Sequence, residues 1–211
     1  MTTVAQLTID ALRKLQIDTL FCIPGVQNDD FFNTLVDARD ITPIVTRHEQ
    51  GAAYMAMGHS QATGKPSAFC VVPGPGMLNT TAALTSAYWA GGRVLALIGG
   101  IPTWLAGKNT GALHDIADPA AVLRQVTKHT GRVTSGSDAA EVLSTALATL
   151  MANEPRPVSV ELPVDTWNHE VDGTLNAAER SKPAVNDDHV AKIADLISRS
   201  SNPLIVVGGG A

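Results

Sequence analysis

The amino-acid sequence predicts an α/β protein with a doubly wound, mainly parallel β-sheet and helices on both faces. Two observations lead to this fold class. Short apolar runs alternate along the chain with longer stretches of helical periodicity, and several apolar runs end in glycine. The runs are also unbroken rather than alternating in polarity, which is typical of strands buried on both faces. Such strands are joined by helical crossovers that cover both sides of the sheet.

The apolar runs define five predicted strands in one domain, at residues 19–23, 43–46, 67–72, 94–98 and 158–162. Helices are predicted between them. The first begins after Thr3, which forms a capping box with Gln6. Others begin at Asp29 and near Asp138, and residues 102–119 read as a loop because the periodicity weakens there.

Two further predicted helices follow the second and third strands. The helix at 50–63 ends at Gly64, with Pro66 soon after as a second stop signal. The helix at 77–89 is apolar nearly all round, so we expect it to be deeply buried or packed on a partner subunit.

The pattern also predicts the domain organisation. Residues 1–165 form the first domain, and residues 166–186 lose periodicity and read as a linker. A helix at 187–200 and a strand at 204–207 then begin a new β-α unit, so we interpret 187–211 as the start of a truncated central α/β domain.

Composition excludes several classes of function. The 211-residue chain has a net charge of −5 and no Lys/Arg cluster, which argues against nucleic-acid binding. Cys22 and Cys70 lie inside apolar runs and are predicted to be buried, reduced thiols. No apolar run approaches the roughly 20 residues that span a bilayer, so we expect no membrane association and a cytoplasmic protein.

Candidate site residues follow the predicted strands. Ligands of open parallel sheets bind at the carboxyl ends of the strands. In this sequence, three turns are predicted at such ends. These are the turns at 24–26, 47–49 and 74–76. Glu49 lies at a helix start, where a carboxylate is often only a cap. Two glycine-containing turns around it let a backbone approach a flat ligand closely.

Three motifs carry a family resemblance: RHEQGA at 47–52, GKP at 64–66 and GPGMLN at 74–79. Together with VTKH at 126–129 and PVSVELP at 157–163, they resemble the pyrimidine-binding domain of thiamine-diphosphate enzymes. The most similar group is the acetolactate synthase, benzoylformate decarboxylase and pyruvate oxidase type. The resemblance covers residues 4–165, and the tail at 204–211 resembles the opening strand of the middle domain of that family.

The resemblance implies that Glu49 is catalytic. A carboxylic acid in a dry pocket can hydrogen-bond the aminopyrimidine ring of thiamine diphosphate and so help the cofactor lose its thiazolium proton. The activated cofactor then attacks a 2-keto acid and serves as the electron sink for decarboxylation. His114, in a loop where relatives place a polar side chain facing the substrate, is a second implied catalytic residue.

The resemblance also implies the binding residues. Those assigned to the cofactor, besides Glu49, are Pro24, Gly25, Gly74, Pro75 and Asn79. Val26 and Gln27 are assigned to the substrate. The residues that bind magnesium and the diphosphate belong to a Gly-Asp-Gly…Asn segment that this sequence lacks, so no metal ligand is expected in this chain.

The implied protein is therefore the amino-terminal domain of a thiamine-diphosphate-dependent 2-keto acid decarboxylase or carboligase, inactive alone. The resemblance implies that the chain forms a homodimer or tetramer, or pairs with a chain that carries the diphosphate-binding domain. It implies FAD binding only where a central domain is also present. Two alternatives stay open: a nucleotide-binding regulatory module and a non-catalytic dimerisation domain. The first lacks both a Gly-x-Gly-x-x-Gly and a Walker lysine motif.

Overall fold

Six parallel strands form the central sheet of this computed structural model, which describes residues 1–176 and 184–208. The strands are β1 Thr19–Cys22, β2 Thr42–Val45, β3 Ser67–Val71, β4 Val94–Gly100, β5 His129–Arg132 and β6 Val158–Pro163. Their order across the sheet is β2-β1-β3-β4-β6-β5, and every neighbouring pair is parallel. The predicted fold class is confirmed.

Helices cover both faces of the sheet. They are α1 Val4–Lys14, α2 Asp29–Leu35, α3 Glu49–Thr63, α4 Pro75–Asn79, α5 Thr81–Ala90, α6 Pro119–Val126, α7 Gly136–Met151 and α8 Asp187–Arg199. One apolar cluster joins α1, α2 and α7 to one face, and a second joins α3, α5 and α6 to the other. The strands β1, β3 and β4 each contribute to both clusters, because successive side chains of a strand point to opposite faces of the sheet.

The predicted helix signals hold at two ends. Thr3 is the predicted cap, with its Oγ1 accepting a hydrogen bond from Gln6 N at 3.3 Å, but the Gln6 side chain donates to Asp10 at 3.2 Å, so the other half of the capping box is absent. Gly64 ends α3 in the left-handed conformation, with φ of 68°. The buried, reduced state predicted for Cys22 and Cys70 is also found.

The single helix predicted at 77–89 is wrong, because the structure breaks it at Thr80 into α4 and α5. The Thr80 hydroxyl donates to the Met77 carbonyl at 2.7 Å, and the Thr80 amide bonds the same carbonyl. A threonine that bonds the preceding turn in this way competes with the regular helical ladder. The α5 helix buries only one side, and the Trp89 side chain is 78% exposed.

Two elements, α6 and β5, were not predicted from the sequence. The β5 strand has the sequence HTGR and lies at the sheet edge, where its side chains are half-buried. An edge strand of this kind needs no apolar run, so it carries no periodic signal. The α6 helix follows the loop directly, with Asp118 as its cap and Pro119 as its first residue.

The first part of the segment predicted as a linker, 166–186, packs on the domain. Trp167 is fully buried, Glu170 forms an antiparallel bridge with Thr3, and Asn176 N donates to Ser144 Oγ at 3.0 Å. Residues 177–183 lie outside the described residues. The domain boundaries proposed from the sequence stay predictions.

The helix predicted at 187–200 is present as α8, but the strand predicted at 204–207 is wrong. Residues 203–208 have no regular secondary structure, and Leu204 and Val206 are exposed. A strand is stabilised by hydrogen bonds to a neighbour, and no described strand pairs with these residues. Residues 209–211, the end of the predicted central domain, lie outside the described residues. No helix within 1–176 and 184–208 has the length and apolarity to cross a membrane.

Candidate functional site

The strand order creates a crevice between β1 and β3. From β1 the chain moves outward to β2, then returns past β1 to β3, so the connections that follow β1 and β3 lead away from each other. Such a switch point is where ligands bind in open α/β sheets. Pro24 and Gly25 follow β1, and Pro73 and Gly74 follow β3, so the sequence places two of its three candidate turns at this crevice.

Glu49 is the first residue of α3, which follows the neighbouring strand β2. His48 caps the helix, with its Nδ1 accepting a hydrogen bond from Gln50 N at 3.1 Å. The half-buried Glu49 carboxylate is fixed by Asn79 of α4, whose Nδ2 donates to Oε2 at 2.9 Å. The structure thus joins the predicted carboxylate to a predicted cofactor-binding residue 30 positions away.

Val72 holds the two glycine turns against the end of β3. A Cβ atom added at Gly25 would lie 2.7 Å from Val72 Cγ1, and one added at Gly76 would lie 2.7 Å from Val72 Cγ2. The Gly76 position is also 3.7 Å from Glu49 Oε1. Only glycine lets both backbones pack this closely on Val72, and at Gly76 it keeps a side chain away from the carboxylate.

Gly74 connects this crevice to the loop that carries His114. The Gly74 backbone has a φ of 54°, and a Cβ atom there would lie 2.3 Å from the His114 carbonyl oxygen. His114 itself has a φ of 66°, which is uncommon for a residue with a side chain. Both unusual conformations occur at the same contact, so the loop is held closely against the start of α4.

Gln27 binds His114 from the other side. Gln27 Nε2 donates to the Leu113 carbonyl at 3.1 Å, and Gln27 Oε1 lies 3.1 Å from His114 Nδ1. The Gln27 carbonyl accepts from Trp167 Nε1 at 2.8 Å. The structure therefore brings a predicted substrate residue and a predicted catalytic residue into direct contact.

The remaining predicted residues lie at the open side of the crevice. Pro24, Val26, Pro75 and Asn79 are all exposed. Val26 is 62% exposed, whereas Gln27 is only 4% exposed, so the two predicted substrate residues differ in access. The roles of all these residues stay predictions.

Tryptophan positions follow no single pattern. Trp167 stacks on Phe31 in the core, with ring centroids 5.2 Å apart. Trp89 and Trp104 are largely exposed. The sequence did not indicate that Trp167 would support the site, because its partner Gln27 lies 140 residues away.

Asn28 is a second supporting residue that sequence reasoning missed. Its Oδ1 accepts from Gly25 N at 2.8 Å, and its Nδ2 lies 3.5 Å from Cys70 Sγ in the core. This buried side chain fixes the turn that follows β1. The only signal that could have found it is an asparagine three residues after Gly25, where such a side chain often bonds the backbone of a turn.

Another charged group lies buried near the same end of the sheet. Glu161 of β6 is paired with Arg132 of β5 at 3.4 Å, and a Cβ atom at Gly100 would lie 2.9 Å from Glu161 Oε1. Burial raises the pKa of the Glu161 carboxyl, although Arg132 opposes this shift. Within residues 1–176 and 184–208, no group of three or more His, Cys, Asp or Glu side chains is arranged to hold a metal ion.

The sequence itself matches a known family over the region that builds this site. Residues 2–122 match the model for the thiamine pyrophosphate enzyme, N-terminal TPP binding domain. This match covers more than half of the chain, so the chain belongs to that family. The family resemblance drawn from the three motifs is confirmed.

Individual relatives agree with the family. The chain is 29% identical to the probable 2-ketoarginine decarboxylase AruI of Pseudomonas aeruginosa over 99% of its own length and 38% of that protein. It is 28% identical to the chloroplastic acetolactate synthase of Arabidopsis thaliana, over 98% of its length and 31% of the relative. It is 30% identical to the probable acetolactate synthase large subunit of Methanocaldococcus jannaschii, over 98% and 36%. The chain thus spans about a third of the length of these relatives.

Proposed function

We propose that this chain is the part of a thiamine-diphosphate-dependent 2-keto acid decarboxylase or carboligase that binds and activates the aminopyrimidine end of the cofactor. The observation that carries the proposal is the Glu49 carboxylate, held by Asn79 beside the Gly74–Gly76 backbone at the switch point of the sheet. The family match and the keto-acid decarboxylase among the relatives support the reaction class.

The feature that supports a site for a flat heterocycle is glycine backbone, rather than side chains, beside the Glu49 carboxylate. Two turns lack side chains at the positions where a Cβ atom would collide with Val72, and one of these positions lies beside Glu49 Oε1. When bound, thiamine diphosphate supplies a nucleophilic carbon and an electron sink for 2-keto acid chemistry. Pro24, Gly25, Gly74 and Pro75 would form the backbone walls of that ring site.

Among the described residues, the Glu49 carboxylate has a hydrogen-bond partner at Oε2 only. Asn79 Nδ2 is a donor, so Oε2 must accept. This leaves Oε1 as the oxygen that can hold a proton and donate it in a hydrogen bond to a ring nitrogen. Asn79 therefore orients the acid, and Glu49 holds the proton that the pyrimidine requires.

The rest of the site would be supplied from elsewhere. We propose that magnesium and the diphosphate are bound by a domain outside this chain, in a homodimer or tetramer or on a partner chain. The exposed Trp89 on α5 supports a contact surface there. FAD would require the central domain, and we propose no FAD contact with the residues described above.

The proposal is tested in the full-length enzyme with Glu49→Gln and a matched control, Glu141→Gln, which changes an exposed glutamate on α7. We expect turnover of 2-keto acids to fall by about 10²–10⁴-fold in the first variant, which is the usual contribution of a positioned acid. The control should retain its activity. Equal activity in both variants would contradict the proposal.

Calorimetry separates the proposal from its alternatives. Thiamine diphosphate with magnesium should bind when the diphosphate-binding domain is present and should bind less well to the 211-residue chain alone. Tight binding of an adenine nucleotide by the chain would instead favour a nucleotide-binding module. Self-association of the full-length enzyme without cofactor binding would favour a dimerisation domain.

A further inference from the structure

We propose that Gln27 is a positioning residue that holds the neutral His114 imidazole in its Nδ1–H tautomer and so reserves Nε2 as a proton acceptor. The inference rests on the proposed function, because it assigns a chemical role to the side chain nearest the cofactor crevice in the 111–115 loop. It replaces the direct substrate contact that the sequence suggested for Gln27.

The Gln27 amide can have only one orientation. One end faces the carbonyl oxygen of Leu113 at 3.1 Å, and a carbonyl oxygen can only accept. The NH₂ group must therefore lie on that side. The reverse orientation would place the amide oxygen against the Leu113 carbonyl oxygen, two acceptors facing each other inside the protein, and would lose that hydrogen bond.

This orientation determines the proton on His114. The other end of the amide, Oε1, faces His114 Nδ1 at 3.1 Å and can only accept. Nδ1 must therefore carry a hydrogen, and in a neutral imidazole Nε2 then has the free lone pair. No described residue hydrogen-bonds to Nε2, so that lone pair is available to a bound molecule.

Gln27 is held rigidly enough to impose this choice. Its side chain is 4% exposed, and its carbonyl accepts from Trp167 Nε1 at 2.8 Å. A Cβ atom at Gly99, near the end of β4, would lie 3.2 Å from Gln27 Cβ, so that strand end packs closely against it. Gln27 is thus held by contacts with β4 and with the 164–168 turn, in addition to its contact with His114.

The imidazole is fixed through its backbone as well. The His114 carbonyl lies against Gly74, where a Cβ atom would come within 2.3 Å of it. Gly74 is the N-cap of α4, and Asn79, which binds Glu49, is the last residue of that helix. The acid and the imidazole are therefore held by the same short helix, one at each end.

The tautomer decides what His114 can do. With Nδ1–H, the free Nε2 accepts a hydrogen bond or a proton from a hydroxyl group or a water molecule in the crevice. With Nε2–H, the same side chain would donate and would instead stabilise a negative oxygen. The Gln27 contact selects the first role.

The test is ¹⁵N–¹H correlation spectroscopy of the histidine-labelled 211-residue chain at a pH where histidines are neutral. The chain has six histidines, and His114→Gln assigns the signal by its absence. We expect a protonated Nδ1 and an unprotonated Nε2 for His114. The Nε2–H tautomer in the wild-type chain would overturn the inference, without need of any Gln27 variant.

A variant pair then tests causation. Gln27→Met removes the acceptor at similar size, and we expect its His114 signal to leave the pure Nδ1–H pattern. Gln27→Glu, as the protonated acid, can donate to the Leu113 carbonyl and accept from Nδ1–H, so it should keep Nδ1 protonated. An unchanged tautomer in Gln27→Met, with a native amide spectrum, would refute a positioning role.

Turnover in the full-length enzyme supplies a second readout. Gln27→Met should lower kcat in the wild-type background but cause little further loss in a His114→Gln background, because residues that act as a unit are not additive. Additive losses would contradict the inference. Glu49→Gln leaves the Gln27 contact intact, so its effect on activity tests the proposed function independently of the tautomer.

Discussion

The backbone at Gly74 gives a prediction that depends only on geometry. Gly74→Ala places a methyl group 2.3 Å from the His114 carbonyl oxygen, whereas ordinary contact begins at 3.4 Å. The 111–115 loop must therefore retreat by about 1 Å, the distance by which the two values differ. A residue with a side chain would also have to adopt a φ of 54° and a ψ of −119°.

Together, these effects should cause a substantial loss of stability. The strained backbone costs about 1–3 kcal/mol. Weakening the Gln27–His114 hydrogen bond costs about 1 kcal/mol more. We expect Gly74→Ala to lower the free energy of unfolding by about 2–4 kcal/mol in urea titrations, with an unchanged m-value. It should also disturb the His114 signal in the spectrum described above.

Gly58→Ala is the matched control for this change. Gly58 lies in α3, it is exposed, and a Cβ atom there meets nothing within 4 Å. Alanine should therefore stabilise the chain by about 0.5–1 kcal/mol. The same substitution thus has opposite signs at the two sites. Wild-type stability and an unmoved His114 signal in Gly74→Ala would refute the packing argument.

Three further predictions concern side chains. Asn79→Leu leaves the Glu49 acid unoriented and should lower turnover of the full-length enzyme by about two- to tenfold, since one neutral hydrogen bond contributes about 0.5–1.5 kcal/mol. Wild-type kinetics would contradict this. Burial raises the pKa of Cys22 to about 11, so at pH 8 the native thiol should react with a disulfide reagent much more slowly than the same thiol in the urea-unfolded chain, and equal rates in the two states would contradict burial. Desolvation, with Arg93 nearby, lowers the pKa of Lys128 to about 8, so the unfolded chain binds more protons above that pH. The free energy of unfolding of the wild type should therefore increase relative to that of Lys128→Met as pH rises from about 8 to 10.5. A difference in unfolding free energy that does not change with pH in urea titrations would contradict this.

The fold was predictable because its central strands are buried on both faces. The unbroken apolar runs around Phe21 and Phe69 form β1 and β3, whose side chains pack against helices on both faces of the sheet, since each strand contributes to both apolar clusters. The two edge strands differ in sequence: β2 contains Ile44 and Val45 and was predicted, whereas β5, with the sequence HTGR, has no apolar run and escaped prediction. The break at Thr80 escaped as well, because a single hydroxyl decides it and hydrophobic periodicity does not record hydroxyl contacts.

The candidate site was predictable in its parts but not in its contacts. Glu49 and the glycine turns stand out because they follow strands, and strand ends of a parallel sheet share one edge. The Gln27–His114 contact joins residues 87 positions apart, and no local pattern encodes it. Sequence reasoning assigned both side chains to the active site and missed that one orients the other.

The central claim is that Glu49 Oε1 holds the proton that activates the cofactor. The most direct measurement is the exchange rate of the thiazolium ring proton of thiamine diphosphate bound to the full-length enzyme, in quenched-flow NMR. Glu49→Gln should still bind the cofactor but exchange this proton at least about 10²-fold more slowly than the wild type. Exchange at the wild-type rate in a Glu49→Gln enzyme saturated with cofactor would contradict the claim.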